Sequence, residues 1–165
     1  MPYHMRRMDK EIKDHDKLEE ILRESRYVTI AMCRDNIPYL VTLSHSYNET
    51  EGCLYFHCAS EGKKLDFMRA NLQVWGQALI DHGYNEGKCS HLYVSAMFKG
   101  RVEFVEDSSE KKKILGYMVR HQEKNPEPTL SSPTGMANVG EVGKTTVGRI
   151  VVEELTGKKS SEIDF

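Results

Sequence analysis

Apolar and polar positions alternate along the chain in a way that predicts six strands and three helices. Leu18, Ile21 and Leu22 recur at helical spacing behind Asp14 and Asp16, acidic residues suited to a helix N-terminus. The pattern then turns β-rich over Tyr27-Val28-Thr29-Ile30-Ala31-Met32, with a turn at Arg34–Ile37 and a second strand at Pro38–Leu43. Asn48–Gly52 reads as another turn and Cys53–Ala59 as a third strand, which completes a meander. Leu65, Met68 and Leu72 share one face of a helix that Asn71 stops. A short strand follows at Val74–Ile80 and a loop at Asp81–Gly87. A long strand then runs from about His91 to Val105, with a bulge or bend expected at Gly100. Asp107 opens a third helix through Ile114, Leu115, Met118 and Val119. Gln122–Lys144 holds three of the five prolines and is too long for a plain connection, so a long loop or lid that is either mobile or functional is expected there. Thr145–Glu154 is the closing strand.

Six strands, mostly antiparallel and with a glycine bend, suit a closed barrel, because closure removes exposed edges. The fold class expected is therefore mainly β, a six-stranded antiparallel barrel with peripheral helices, in a single domain over residues 1–165. With 39% hydrophobic and 29% charged residues the chain supports a modest core and is not of the disordered class. So short a chain leaves much apolar surface to be covered by association.

A net charge of -2 offers no basic field for nucleic acid. No apolar run approaches the roughly 20 residues needed to cross a bilayer. Residues 1–20 are charged throughout and lack a signal-peptide core. The four cysteines, Cys33, Cys53, Cys58 and Cys89, form no CxxC pair and read as reduced thiols. Together these features predict a cytoplasmic protein with neither a membrane nor a nucleic-acid partner.

Candidate chemistry concentrates in Leu54-Tyr55-Phe56-His57-Cys58-Ala59-Ser60-Glu61-Gly62-Lys63-Lys64-Leu65-Asp66. A strand delivers His57 to its end, Gly62 makes a turn, and two lysines stand at a helix start. Free N–H groups, the positive end of the helix dipole and two ammonium groups together suit an anion, a phosphate foremost. By pattern alone the same lysines also fit an ordinary solvated helix face. Elsewhere, His82, Cys89 and His91 have no zinc-ligand spacing and no fourth ligand, so no metal is expected. His57 and Cys58 are adjacent on a strand and point to opposite faces, which argues against a nucleophile pair. Neither GxGxxG nor GxxxxGK[ST] occurs, so a nicotinamide donor would have no domain of its own here.

The motif resembles the FMN-phosphate segment of the 5-nitroimidazole-resistance branch of the pyridoxamine 5′-phosphate oxidase-like FMN-binding split barrels. Met5–Ile12 is similar to the basic opening of that branch, and Pro38–Ser44 to its second strand. Ser95 through Gly100-Arg101-Val102-Glu103 resembles the strand after the central loop. Ile150–Glu154 with Thr156-Gly157-Lys158 resembles the closing strand and tail.

The resemblance implies a split barrel that works as a homodimer with FMN at the interface. The flavin ring would lie along Val41, Thr42 and Leu43, with His57, Cys58 and Ala59 beside it. Lys63 and Lys64 would hold the phosphate, with Ser95 as a further polar contact. His57 would be the catalytic residue. The implied activity is an oxidoreductase that takes electrons from NADH or NADPH and reduces a small nitroaromatic- or quinone-like acceptor. The alternatives are a flavin-binding or redox-sensing module without turnover, and a haem- or deazaflavin-binding barrel.

The chain departs from the family pattern in four places. Lys63 stands where arginine is usual, which removes a bidentate fork. Val94 replaces a common arginine. Trp75-Gly76 replaces smaller apolar residues, and Trp75 either lines the pocket or, as is commoner for a lone tryptophan, fills the core. The segment from Gln122 to Lys144 does not match well.

Overall fold

The structure, a computed structural model, describes residues 5–132 and 145–165. After a 3₁₀ turn at Met8–Lys10 come β1 (Glu11–Ile12) and α1 (His15–Glu24). The Asp14 side chain caps α1 by accepting the Asp16 N–H at 3.0 Å, and the helix buries Leu18, Ile21 and Leu22. Next are β2 (Tyr27–Arg34) and β3 (Ile37–Ser44). Asp35 and Asn36 join these strands with φ of 51° and 61°, the left-handed conformation that a tight two-residue hairpin needs. The chain continues through β4 (Ser46–Asn48), β5 (Cys53–Ala59), α2 (Lys63–Ala70), β6 (Gln73–Asn85) and β7 (Ser90–Val105). It ends with α3 (Ser108–Gln122), α4 (Glu127–Ser131) and β8 (Thr145–Lys159).

The strands form one antiparallel sheet in the order β3-β2-β6-β7-β8-β5-β4, with β1 paired to β8. Every predicted strand is present, and two short ones are added, so the described residues carry eight strands where six were expected. The hydrogen-bonded path is open, with β3 and β4 at its ends. Fully buried Phe56, Phe98, Ile30, Leu54, Met68 and Ile150 form one core cluster, and α1 packs into it. A second cluster under α3 joins Cys53, Tyr55, Val105, Leu115 and Val147. Asp107 caps α3 by accepting the Glu110 N–H at 2.8 Å, as its sequence position predicts.

Three expectations need correction. The loop read at Asp81–Gly87 is mostly strand: β6 continues to Asn85 across a register shift between Asp81 and Tyr84. Asp81 accepts the Gly83 N–H at 2.8 Å there, and Gly83 takes a φ of 91°. Within the segment from Gln122, α4 forms behind Pro126 rather than an extended loop. The remainder of the expected lid, 133–144, lies outside the described residues. Trp75 does not fill the core. Val74 and Ala78 point inward with Gly76 between them, so alternation turns Trp75 out, where it is 49% exposed. The bend expected at Gly100 does occur as a register shift between Lys99 and Gly100.

His45, at the corner between β3 and β4, fastens three elements. It is 4% exposed, its Nε2 donates to the Leu22 carbonyl at 2.8 Å, and its own carbonyl accepts from Gln122 Nε2 at 3.0 Å. A carbonyl can only accept, so Nε2 carries the proton and Nδ1 is an acceptor with no hydrogen-bond partner among the described residues. Burial pushes the imidazole pKa below its usual 6.5, outweighing the hydrogen bond to Leu22. The unfolded chain therefore binds a proton at a higher pH than the folded one does. Stability contributed by neutral His45 is complete above about pH 6.5 and falls as the pH drops toward the folded value. Urea unfolding at pH 7.5 and 5.5 should give a lower midpoint at the acid pH, and His45→Gln should shrink that difference. An undiminished difference in the variant assigns the loss to other groups.

Candidate functional site

The carboxyl end of β5 and the start of α2 bring five of the expected residues together: His57, Cys58, Ala59, Lys63 and Lys64. Alternation along β5 sends Leu54, Phe56 and Cys58 to the main core and Tyr55 and His57 to the other face. His57 is exposed at the strand end and Cys58 is half-buried, so the two side chains diverge as expected. Gly62 then turns the chain with a φ of 131°, a conformation that favours glycine, and no side chain caps α2. The first amides to bond back within the helix are those of Leu65 and Asp66, both to the Gly62 carbonyl. The amides of Lys63 and Lys64 precede them and stand at the positive end of the helix dipole.

The two lysines differ in their surroundings. Lys63 Nζ lies 4.5 Å from the centroid of the Tyr39 ring and 5.6 Å from that of Phe67. Lys64 acts electrostatically on both His57 and Cys58. Partial desolvation foremost, then the Lys64 charge, pushes the His57 pKa below its usual 6.5, which favours the neutral imidazole. Burial raises the Cys58 thiol against the opposing pull of Lys64 and Arg69, which keeps it protonated and a poor nucleophile.

β3 packs against α2 through Tyr39, whose ring lies with its centroid 5.1 Å from that of Phe67 on α2. Tyr39, Val41 and Leu43 face inward, while Thr42 is exposed and meets Thr29 across the hairpin at 3.4 Å. β3 ends the hydrogen-bonded path of the sheet, so one side of its backbone has no strand partner among the described residues. It can offer N–H and C=O groups to the edge of a planar molecule.

Ser95 stands apart from this group. It lies on β7, is 5% exposed, and donates to the Lys158 carbonyl at 3.3 Å. Ala59 ends β5 and is exposed next to the turn. Tyr39 and Phe67 were not among the residues picked out from sequence, since their link to Lys63 joins β3 to α2 across more than twenty positions.

Cross-strand register places Leu40, Ala31, Trp75 and Lys99 in one row of the outer sheet face, and Thr42, Thr29, Gln77 and Met97 in the next. Leu40 is 63% exposed, and Tyr27, Leu79 and Met97 are exposed beside it. A cavity of about 550 Å³ begins at Ser44, one residue beyond Leu43, and is lined by Arg23, Arg26, Tyr27, His45 and Gln122. No helix among the described residues is long and apolar enough to cross a membrane.

Residues 14–159 match the family model described as pyridoxamine 5′-phosphate oxidase. None of the curated proteins matches the chain. Among solved structures, a candidate 5-nitroimidazole antibiotic resistance protein from Bacteroides thetaiotaomicron is 28% identical with a TM-score of 0.74, covering 90% of this chain and 85% of that one. A FAD-binding protein from Mesorhizobium loti is 21% identical with a TM-score of 0.60, covering 89% of this chain and 95% of that one. The flavocytochrome Anf3 from Azotobacter vinelandii is 16% identical with a TM-score of 0.80, covering 99% of this chain and 76% of that one. The last two likenesses show the fold alone. The match from residue 14 to residue 159 takes in α1, the whole meander, α2 and the three long strands β6, β7 and β8, and by it the chain belongs to the pyridoxamine 5′-phosphate oxidase family.

Proposed function

We propose that this chain is an FMN-binding oxidoreductase that works as a homodimer and passes electrons from NADH or NADPH to a small nitroaromatic- or quinone-like acceptor. The observation that carries the reading is the uncapped start of α2, with Lys64 beside His57 and Lys63 over the Tyr39 ring of β3, the strand that ends the hydrogen-bonded path of the sheet. The donor set fits a flavin monophosphate: amides and ammonium groups for the phosphate, and a strand edge for the polar rim of the ring. Lys63, Lys64 and the α2 amides hold the phosphate, and the backbone along Val41, Thr42 and Leu43 orients the ring. His57, Cys58 and Ala59 close the site at the end of β5. FMN, when bound, supplies the hydride and electron chemistry, while the protein sets access and electrostatics.

The exposed apolar side chains of Leu40, Trp75 and Met97, in adjacent rows of the outer sheet face, support association of two copies through it. On this arrangement Ser95 serves the site only if the partner copy brings the two regions together. The 28% identity to a candidate 5-nitroimidazole antibiotic resistance protein favours a nitro-compound as acceptor.

Neutral His57 can donate a hydrogen bond from its N–H to an acceptor oxygen, and its imidazolium form can supply a proton and be regenerated from solvent, a role worth roughly 10²–10⁴ in rate for a positioned acid or base. His57→Ala should keep FMN bound and lower acceptor reduction by at least about tenfold. Anaerobic turnover with NADH and a nitroimidazole, followed at the flavin absorption bands, measures this; equal turnover in the variant removes the role. In the unaltered protein the same spectrum tests the whole reading. Bands that bleach with NADH or NADPH and recover with the acceptor support the oxidoreductase. Bands that never bleach indicate a binding module, and a haem spectrum or none rejects FMN.

A further inference from the structure

We infer that Tyr39 sets the preference of this site for phosphorylated over unphosphorylated flavin, as a positioning residue that holds the Lys63 ammonium at the start of α2. The inference rests on the FMN reading above and adds a residue that neither the helix start nor the lysine pair contains.

Lys63 carries a point charge on a flexible four-carbon stem, so aiming it at a ligand costs side-chain entropy. Here Nζ sits 4.5 Å from the Tyr39 centroid, with Phe67 as a second ring at 5.6 Å. Both distances fall within the range where a ring face attracts a cation. The two rings are tilted at 47° with centroids 5.1 Å apart, so they brace each other across the contact between β3 and α2. No carboxylate pairs with Lys63 among the described residues; its charge is therefore oriented but not neutralised. A ring face occupies one side of the ammonium and leaves N–H groups for an anion on the other. Tyr39 also lies on the strand that includes Val41, Thr42 and Leu43, so one side chain couples the ring segment to the phosphate segment. The lysine at this position is thereby given part of the fixed direction that an arginine would have from its planar fork.

The test compares FMN and riboflavin binding, by quenching of flavin fluorescence, in the full chain and its variants. The unaltered protein should bind FMN more tightly than riboflavin. Tyr39→Leu should lose roughly two- to fivefold in FMN affinity, the range of an exposed cation–π contact, with riboflavin affinity unchanged. Tyr39→Phe keeps the ring face and should retain the preference. Lys63→Met should reduce it at least as much as Tyr39→Leu does, and adding Tyr39→Leu to Lys63→Met should cost nothing further. Equal weakening of FMN and riboflavin in Tyr39→Leu would make Tyr39 a packing residue and overturn the inference, as would a Tyr39→Leu protein that binds FMN normally. If Tyr39→Leu does not fold, pentafluorophenylalanine at position 39 keeps the shape and reverses the ring electrostatics, and the same two outcomes apply to it. Absence of any FMN preference in the unaltered protein defeats the phosphate reading itself, a failure visible before any variant is made.

Discussion

Lys64→Glu is expected to weaken FMN binding by about 100-fold, because it replaces one charge-assisted contact with a like charge at the phosphate. Riboflavin, which lacks the phosphate, should bind the variant nearly as well as the unaltered protein. The geometry supplies a second readout that needs no cofactor. Lys64 is one of two causes that lower the His57 pKa, the other being burial. A carboxylate at position 64 removes the cation and adds an anion, so His57 should titrate at a higher pH in the variant. Histidine NMR on the apo protein measures that directly. A raised His57 pKa with normal FMN affinity would leave Lys64 beside His57 and move the phosphate elsewhere. A His57 pKa that does not move would contradict the placement of Lys64 itself. The substitution lies in the exposed first turn of α2, where Lys63 and Lys64 precede the buried Leu65, so the fold should tolerate it.

The parts of this site that could be read from sequence are those built by neighbouring residues. His57 at a strand end, Gly62 in a turn and Lys63-Lys64 at a helix start follow one another, and the structure forms each element as the local pattern predicts. The cap at Asp107 and the bend at Gly100 are local in the same sense. What escaped the pattern depends on partners distant in sequence or on elements too short to show a period. β1 has two residues and β4 three, so neither displays an alternation. Two glycines and an asparagine made Asp81–Gly87 look like a loop, because a bulge and a turn share their residue preferences. The hold of Tyr39 on Lys63 depends on β3 packing against α2, and no spacing rule encodes it. Trp75 misled for a related reason: its direction follows from what sits opposite its neighbours, and Gly76 owes its place to a residue on another strand.

That pairing leads to the largest stability effect expected. Gly76 on β6 is the cross-strand partner of Phe98 on β7, and Phe98 is 0% exposed. A Cβ added to Gly76 would lie 2.7 Å from both Cε atoms of that ring, so the ring lies across the glycine where a side chain would otherwise be. The same arrangement recurs between β5 and β8, where Phe56 pairs with Gly148 and its Cε1 would meet the added carbon at 2.7 Å. Each glycine leaves a gap in the sheet face that an aromatic ring fills, and each ring gains a flat seat in the core. Gly76→Ala must displace a fully buried phenyl ring whose neighbours are close-packed, a cost of about 3 kcal/mol at the upper end for overpacking. For a chain of this size that is a fall of roughly 6–12 °C in Tm. Phe98→Leu opens the seat and leaves a cavity, so alone it destabilises as well. Combined with Gly76→Ala it gives the new methyl group room, and the double variant should lose clearly less than the sum of the two single losses. Thermal unfolding of the four proteins measures the coupling. Additive losses would mean that Phe98 does not occupy the space over Gly76 in solution.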